Sequence, residues 1–274
     1  MTSSIVRALI LGIVQGITEF LPVSSSAHLV LTPWLLQWEN PGLAFDAMLH
    51  LGTLLAVVAY FWRDLWELVV SGLVSIRERS LGDDPNRRMA WFIVIGTLPA
   101  AVLGFALEDF FEGLFGAPLR VGVLLLGTGL LLASSERWSR RRQDLAELGL
   151  LDALFVGLGQ ALAIAPGISR SGATISAGLA RGLRREAAAR FSFLLSVPIV
   201  FGAGLFSLKE LLESPWIIES PWSLLAGFLS AAISGFLSIK FLLGYLRTRS
   251  LYPFAVYCWA VGLLAMLVTL LSLR

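Results

Sequence analysis

Six stretches of this chain are apolar and long enough to cross a lipid bilayer, and no other feature limits its fold as strongly. A helix needs about 20 apolar residues to span the hydrocarbon core. The chain of 274 residues is 57% hydrophobic and 15% charged, with a mean hydropathy of +0.79. A soluble domain carries about 25% charged residues, so the composition excludes a soluble enzyme, a nucleic-acid-binding protein and a disordered chain. The six stretches are residues 45–62, 91–107, 119–135, 191–208, 222–245 and 252–273.

Two further apolar segments, residues 5–36 and 151–182, are interrupted in the middle by polar and helix-breaking residues. We interpret both segments as helix–loop–helix hairpins that enter the membrane and leave it on the same side. Irregular backbone at membrane depth is tolerated where protein or a water-filled cavity surrounds it, so two such loops mark a site. The interrupting residues are Glu19, Pro22 and Ser24-Ser25-Ser26 in the first segment, and Pro166-Gly167 and Ser169-Arg170-Ser171 in the second.

The two broken segments resemble each other. The same register aligns three pairs of residues: Gln15 with Gln160, Ser24 with Ser169 and Gly12 with Gly157. Each half of the chain is then one hairpin followed by three spans, and because three is an odd number of crossings, the second half is inverted relative to the first. The predicted fold is all-α. It is a single membrane domain over residues 1–274, with six transmembrane helices and two re-entrant hairpins in inverted repeats of about 1–137 and 150–274.

The basic residues are concentrated on one side of the membrane. When each hairpin is counted as making no crossing, the other side carries only Arg7, Arg120, Lys209 and Arg274. Lys and Arg favour the cytoplasmic side, which predicts that both termini lie outside and that the first hairpin enters from the outside. We interpret the clustered arginines as topology signals. They are Arg63, Arg77, Arg79, Arg87, Arg88, Arg137, Arg140, Arg141, Arg142, Arg181, Arg184, Arg185, Arg190, Arg247 and Arg249.

Polar groups at membrane depth indicate the site, because they are costly to bury there. The second loop, residues 166–174, combines glycines, hydroxyls and Arg170, and it leads into a helix N-terminus. Helix N-termini and exposed N–H groups bind anions such as phosphate, and a guanidinium binds phosphate oxygens in pairs. We therefore expect an anion between the hairpins, with Glu19 paired to Arg170. Alternatively, this pair only fixes how the hairpins dock.

The first loop supplies groups that could react with the anion. Ser25 lies three residues before His28, a spacing that allows a nucleophile and a proton acceptor within one helical turn. Gln15 and Glu19 are four residues apart and share a helix face, where their oxygens could hold a magnesium ion together with phosphates. His28 could instead be an interface residue, and we interpret His50 as structural. Of the three adjacent serines, at most one is a nucleophile.

Two motifs carry a family resemblance. The first runs from Gln15 to His28 and reads Gln-Gly-Ile-Thr-Glu-Phe-Leu-Pro-Val-Ser-Ser-Ser-Ala-His, and the second runs from Pro166 to Thr174 and reads Pro-Gly-Ile-Ser-Arg-Ser-Gly-Ala-Thr. Together they resemble the two signature motifs of the bacterial undecaprenyl-diphosphate phosphatases, the bacitracin resistance proteins. The resemblance extends over essentially the whole chain, in its length, hairpin order and motif spacing. It departs at Gln15, where the family usually has Glu.

The resemblance implies hydrolysis of undecaprenyl diphosphate to undecaprenyl phosphate and inorganic phosphate on the outer face of the bacterial inner membrane. This reaction recycles the lipid carrier of peptidoglycan synthesis and confers bacitracin resistance. The implied catalytic residues are Glu19, Ser25 as nucleophile, His28 as acid or base and Arg170 as phosphate clamp. Alternatively, a water molecule positioned by His28 attacks the phosphate in place of Ser25. A divalent cation, Mg²⁺ or Ca²⁺, would be held by Glu19 and Gln15. Around the phosphate we expect Ser24, Ser26, Gly167, Ser169, Ser171, Gly172 and Thr174.

A second function class fits the same architecture. Inverted repeats with two broken helices are also found in secondary transporters, and a flippase of a lipid phosphate would need the same anion site. A transporter requires no nucleophile, so replacing Ser25 would separate the two functions. The expected partners are a polyprenyl diphosphate lipid and the bilayer, without nucleic acid, and association into a homodimer is left open.

Overall fold

The computed structural model describes residues 2–39, 42–107, 117–213 and 220–272. Within these residues the protein is all-helical, with eleven α-helices, one 3₁₀ turn at Leu145–Glu147 and no β-strand. The predicted all-α membrane fold is therefore confirmed. The helices are α1 (Thr2–Phe20), α2 (Ser25–Leu35), α3 (Leu43–Tyr60), α4 (Trp62–Glu78), α5 (Pro85–Ala106), α6 (Pro118–Trp138), α7 (Leu150–Leu162), α8 (Arg170–Ala180), α9 (Arg185–Glu213), α10 (Pro221–Leu246) and α11 (Tyr252–Ser272).

Each broken segment is a pair of helices joined by a short loop, as its sequence predicts. The first segment is α1 and α2, and the loop between them spans residues 21–24. The second segment is α7 and α8, with a loop of residues 163–169. The two helices of each pair pack against each other. Side-chain oxygens of Ser24 and Ser169 cap the second helix of each pair, so a hydroxyl residue sets the restart of both helices.

Five of the predicted spans are single helices long and apolar enough to cross a membrane, namely α5, α6, α9, α10 and α11. The sixth predicted span, residues 45–62, is α3, but the chain continues beyond it into an additional helix, α4, at a bend of 81°. Because of this bend, α4 does not continue the direction of α3. The outer side of α4 is apolar at Trp62, Trp66, Val69 and Leu73, and this spacing of three or four residues forms one stripe.

Pairs of glycines bring helices from the two halves into backbone contact. A Cβ atom on Gly12 of α1 would collide with the carbonyl of Gly227 on α10, and a Cβ atom on Gly157 of α7 would collide with that of Gly96 on α5. Small residues allow such close approach in membranes. Gly12 and Gly157 are the residues that the repeat register aligns, and each packs against the other half of the chain. An inverted repeat would produce this exchange, and the repeat itself stays a prediction.

The arginines at one end of the bundle also link its helices. The carboxylate of Glu136, at the end of α6, is 3% exposed and accepts hydrogen bonds from Arg185 of α9 and Arg141. Arg181 Nε lies 2.6 Å from Asp152 Oδ1 of α7. These arginines therefore have structural partners in addition to the topology role that the sequence predicts. Of the basic residues predicted on the other face, Arg274 lies outside the described residues.

Candidate active site

The two loops meet in the structure, although about 140 to 150 residues separate them in sequence. The amide of Gly167 donates a hydrogen bond to Ser26 Oγ at 3.4 Å, and the hydroxyl of Ser171 donates one to the carbonyl oxygen of Leu21 at 3.1 Å. Both bonds join the first hairpin to the second. The predicted meeting of the hairpins is thus present, and it brings the polar residues of both loops together.

Glu19 lies at this junction and is only 7% exposed. Arg170 Nη2 donates to its Oε1 at 2.7 Å, and Ser25 Oγ donates to its Oε2 at 2.5 Å. Gln15 Nε2 also donates to Oε2, at 3.2 Å. A buried carboxylate is stable when a cation and hydrogen-bond donors surround it, and here both hairpins supply them. The same contacts place Ser25 where its proton can pass to the carboxylate.

Ser25 is aimed at Glu19 by an unusual backbone conformation at Ser24. Ser24 has φ 71° and ψ 99°, a region that residues with a side chain seldom adopt and that costs about 1–3 kcal/mol. Its hydroxyl accepts a hydrogen bond from the amide of Ala27 at 3.4 Å, and its Oγ lies 3.2 Å from Ser26 Oγ. Strain of this kind is found where a local geometry serves a site. Ser25 and Ser26 are half-buried.

His28 lies beside the first loop, and its ring makes no hydrogen bond to Ser25. Its Nδ1 is 2.7 Å from the carbonyl oxygen of Ser24, and its Nε2 is 2.8 Å from the hydroxyl of Tyr257 on α11. A carbonyl oxygen only accepts, so Nδ1 carries a proton and Nε2 accepts from the tyrosine in the neutral ring. Both nitrogens of the predicted acid or base are therefore occupied within the protein.

Hydroxyl groups hold the backbone of the second loop through hydrogen bonds. Thr128 of α6 donates to the carbonyl oxygen of Gly167 at 2.9 Å and accepts from the amide of Ser169 at 2.9 Å. Gly167 has φ 108°, a left-handed conformation that suits glycine. The hydroxyl of Ser169 accepts from the amide of Gly172 at 3.0 Å. The structure therefore uses Ser169, Gly167 and Gly172, three predicted phosphate-binding residues, to shape the loop.

Arg170 and Thr174 have different surroundings. Thr174 is fully buried, and its hydroxyl lies 2.7 Å from the carbonyl oxygen of Arg170 and 2.6 Å from Ser192 Oγ on α9. The Arg170 side chain is 15% exposed, with Nη1 3.4 Å from the carbonyl oxygen of Ser192. A guanidinium has five N–H donors, so Arg170 keeps donors for an anion beyond those that bind Glu19 and Ser192.

A divalent cation can be tested against the donors at Glu19. Among the residues that the structure describes, no group of three His, Cys, Asp or Glu side chains could hold a metal. However, Gln15 is fully buried and its Oε1 atom has no hydrogen-bond partner, which leaves one hard oxygen beside the carboxylate. Mg²⁺ is commonly bound by one or two carboxylates together with substrate phosphates. The donor set fits a cation that arrives with a phosphate ligand, and it does not fit a closed protein cage.

Sequence reasoning interpreted His50 as structural and did not identify Thr128, Ser192 or Tyr257. His50 Nε2 is 3.8 Å from Glu19 Oε2, while its Nδ1 is 2.8 Å from the carbonyl oxygen of Asp46, so this histidine faces the site rather than serving the structure of α3 alone. An ionisable residue inside an apolar span is itself a signal of function, and it could have identified His50. No comparable signal marks Thr128, Ser192 or Tyr257, whose roles depend on contacts distant in sequence.

Comparison with known proteins places this geometry in context. The family model described as bacitracin resistance protein BacA matches residues 8–264. An undecaprenyl-diphosphatase of Moorella thermoacetica is 49% identical over 271 residues, covering 99% of this chain and 99% of the relative. A relative of the same name from Thermomicrobium roseum is 48% identical, covering 96% of this chain and 97% of the relative. Another, from Methanosphaera stadtmanae, is 46% identical, covering 97% of this chain and 98% of the relative. The similarity includes both loops.

Proposed function

The chain belongs to the bacitracin resistance protein BacA family, as its two motifs predicted, and we propose that it hydrolyses undecaprenyl diphosphate to undecaprenyl phosphate and inorganic phosphate. Its function is then to recycle the lipid carrier of peptidoglycan synthesis and to confer bacitracin resistance. The observation that carries the proposal is the contact of Ser25 and Arg170 with one carboxylate, Glu19, at the junction of the hairpins. The relatives are named as phosphatases, so the transporter alternative is not favoured.

The diphosphate lies between the two loops, and its lipid tail leaves sideways into the bilayer. Arg170 binds the phosphate oxygens with the N–H groups that remain beside Glu19 and Ser192. The half-buried Ser26 also binds the phosphate in this proposal. Phosphoryl transfer depends chiefly on positioning and on stabilising the charge of the phosphoryl group. The Arg170 guanidinium positions the phosphoryl group and stabilises its charge.

Ser25 is the nucleophile in this proposal. Its Oγ bonds to the terminal phosphorus, its proton passes to Glu19 Oε2, and the bond from phosphorus to the bridging oxygen breaks, so undecaprenyl phosphate leaves. Water then displaces Ser25 from the phosphorus, Glu19 returns the proton to Ser25 Oγ, and inorganic phosphate is released. In the alternative, a water molecule beside Glu19 attacks directly and no phosphoserine forms. The 2.5 Å contact between Ser25 and Glu19 supports the serine route.

A divalent cation, Mg²⁺ or Ca²⁺, is part of the proposal. Glu19 and the unpartnered oxygen of Gln15 would hold it together with the substrate. When bound, the cation neutralises charge on the diphosphate. Apart from the cation, Glu19 holds Ser25 and Arg170 in place through its hydrogen bonds to both residues.

The site faces the outer side of the bacterial inner membrane, with both termini outside. The protein crosses the membrane several times, and the arginine-rich end of the bundle supports this orientation because Lys and Arg favour the cytoplasm. The bilayer and a polyprenyl diphosphate are its partners. A homodimer stays a prediction, which the molar mass of the detergent-solubilised protein would test.

The test is phosphate release from undecaprenyl diphosphate by purified protein in detergent. We expect release that a chelator abolishes and that Mg²⁺ or Ca²⁺ restores. Arg170→Ala should lower kcat/KM by about 100-fold or more, the effect of removing one such charged donor elsewhere. Arg249→Ala, which removes an exposed arginine between α10 and α11, is the matched control and should leave kcat/KM unchanged. No release by folded parent protein would contradict the proposal and favour lipid transport.

A further inference from the structure

A side-chain contact between Tyr257 of α11 and His28 of α2 has no part in the reaction described above. Tyr257 and His28 are 229 residues apart, yet the tyrosine hydroxyl is 2.8 Å from Nε2 of the histidine. Their rings are nearly parallel, at 10°, with centroids 5.7 Å apart. We propose that Tyr257 and His28 are positioning residues that hold the Ser24 turn so that Ser25 points at Glu19. This inference rests on the proposed function and adds two roles to it.

The first step in the argument is the state of the His28 ring. Because the Ser24 carbonyl can only accept, the proton on Nδ1 is committed to it, and the lone pair on Nε2 is committed to the hydroxyl of Tyr257. His28 is 9% exposed, so water does not replace these partners. The ring has no nitrogen left for Ser25, whose own proton acceptor is Glu19 at 2.5 Å.

The second step is the position of the atom that His28 holds. The carbonyl oxygen of Ser24 accepts from Nδ1 at 2.7 Å and also from the backbone amide of His28 at 3.3 Å. Ser24 is the residue with φ 71° directly before the nucleophile. The imidazole therefore fixes the peptide group between Ser24 and Ser25, and rotation of that group would move the Ser25 hydroxyl away from Glu19.

The third step is that α11 supports the loop at a second point. Cys258, next to Tyr257, is buried with its Sγ 3.6 Å from the carbonyl oxygen of Pro22. Neighbouring residues of one helix thus contact residue 22 directly and residue 24 through the histidine. Misplacing a reacting group by about 1 Å can lower a rate about 100-fold, so this support is sufficient to control turnover from outside the reacting atoms.

Substitutions that replace one ring nitrogen at a time test the proposal. The amide of Asn reaches the position of Nδ1, and the amide of Gln reaches the position of Nε2. We expect His28→Ala to lower kcat about 100-fold, H28N to recover kcat to within about fivefold of the parent, and H28Q to stay near the Ala variant. The pH profile of H28N should keep the shape of the parent profile, because a positioning histidine exchanges no proton in the reaction and contributes no limb to that profile. An inactive H28N, or one that loses a limb of the profile, would overturn the proposal.

Tyr257→Phe tests the distant end of the contact without removing a ring. We expect kcat to fall about threefold to tenfold, the effect of one neutral hydrogen bond, with KM nearly unchanged. Tyr252→Phe is the matched control, because Tyr252 is on the same helix and is equally exposed, 44% against 43% for Tyr257. Equal effects of the two substitutions would contradict the role of Tyr257.

A measurement without substrate separates this inference from the proposed function. The chain has only two histidines, so ¹⁵N-histidine labelling gives two ring systems in an NMR spectrum of the detergent-solubilised protein. Both rings should carry a proton on Nδ1, because each Nδ1 lies beside a carbonyl oxygen. We expect the His28 ring to be the one with a hydrogen-bonded Nε2, and we expect its signal to shift in Y257F but not in Y252F. Parent protein that releases no phosphate would defeat the proposed function alone. A His28 ring with its proton on Nε2 would defeat the positioning role alone.

Discussion

Glu19 shows how one residue can join two distant segments into a site. The carboxylate is 7% exposed and receives one hairpin's serine and the other hairpin's arginine. Leaving either charge of such a buried pair without its partner is strongly destabilising, by about 3–5 kcal/mol. In the proposed function the pair therefore serves docking and chemistry together. The two interpretations that the sequence left open, a structural pair and a catalytic pair, describe the same contact.

At the same scale, Ser25 and Ser26 give a sharp comparison. Both are half-buried first-turn residues of α2, but Ser25 Oγ binds Glu19 while Ser26 Oγ accepts from the amide of Gly167. We expect Ser25→Ala to lose about 1000-fold or more of kcat, because the nucleophile is removed. Ser26→Ala should lose about tenfold or less, since it removes neutral hydrogen bonds. The measurement is phosphate release under saturating substrate.

Substantial release by Ser25→Ala would contradict the serine route and favour a water nucleophile at Glu19. Phosphorylated protein trapped by acid quenching supplies an independent check, and it should be found in the parent but not in the Ser25→Ala variant.

At this scale the sequence predicted the contact between Glu19 and Arg170 but not the surroundings of His28. The pair could be predicted because two charged groups at membrane depth are most stable together. The orientation of the histidine ring could not, because its spacing from Ser25 fits one helical turn equally well in any rotamer. In the structure the ring is oriented by a hydrogen bond with Tyr257, which lies 229 residues later in the chain.

At the scale of the helix, the spans could be predicted and the helix α4 could not. Length and apolar composition identify α5, α6, α9, α10 and α11 without reference to neighbours. By contrast, α4 mixes charged residues with an apolar stripe. It is a helix separate from α3 because the chain bends by 81° between them. Nothing in residues 45–62 signals a bend, because Phe61, between the two helices, is as apolar as the span that it ends.

Helix packing at glycines leads to a prediction about stability. Gly12→Ala would place a methyl group against the backbone of Gly227 on α10, whereas a Cβ on Gly244 of the same helix meets nothing within 4 Å. Overpacking typically costs about 1–3 kcal/mol, so we expect Gly12→Ala to lower the thermal unfolding midpoint by several degrees. Gly244→Ala is the control and should leave the midpoint unchanged or raise it slightly, because Ala has the higher helix propensity. Equal midpoints for both variants would show that α1 and α10 are not in close contact.

At the scale of the whole molecule, the two halves depend on each other. Helix α1 packs along α10, and α7 packs along α5, so neither half forms a complete bundle by itself. The site forms where the two hairpins of this shared bundle meet. Inversion of the second half, which the sequence predicts from an odd number of crossings, would bring the two loops together from opposite sides of the membrane.

The orientation of the bundle is testable with single cysteines. Glu39 lies between α2 and α3 on the predicted outer side, Asp83 lies before α5 on the predicted cytoplasmic side, and both are exposed. The native Cys258 is buried and should react slowly. We expect a membrane-impermeant maleimide to label Glu39→Cys but not Asp83→Cys in spheroplasts, because the arginine-rich end faces the cytoplasm. The reverse pattern would overturn the orientation, and labelling of both after detergent treatment checks access.

The claim that both hairpins form a single catalytic site is tested most directly by a double-mutant cycle on phosphate release. Glu19→Gln and Arg170→Gln each remove one charge of the 2.7 Å pair while keeping a polar side chain. Residues that act as a unit are non-additive. If each single substitution lowers kcat about 100-fold, the kcat of the double variant should be no more than about tenfold below that of the less active single variant. Losses that multiply to about 10 000-fold would show that the two residues act independently and would contradict a shared site.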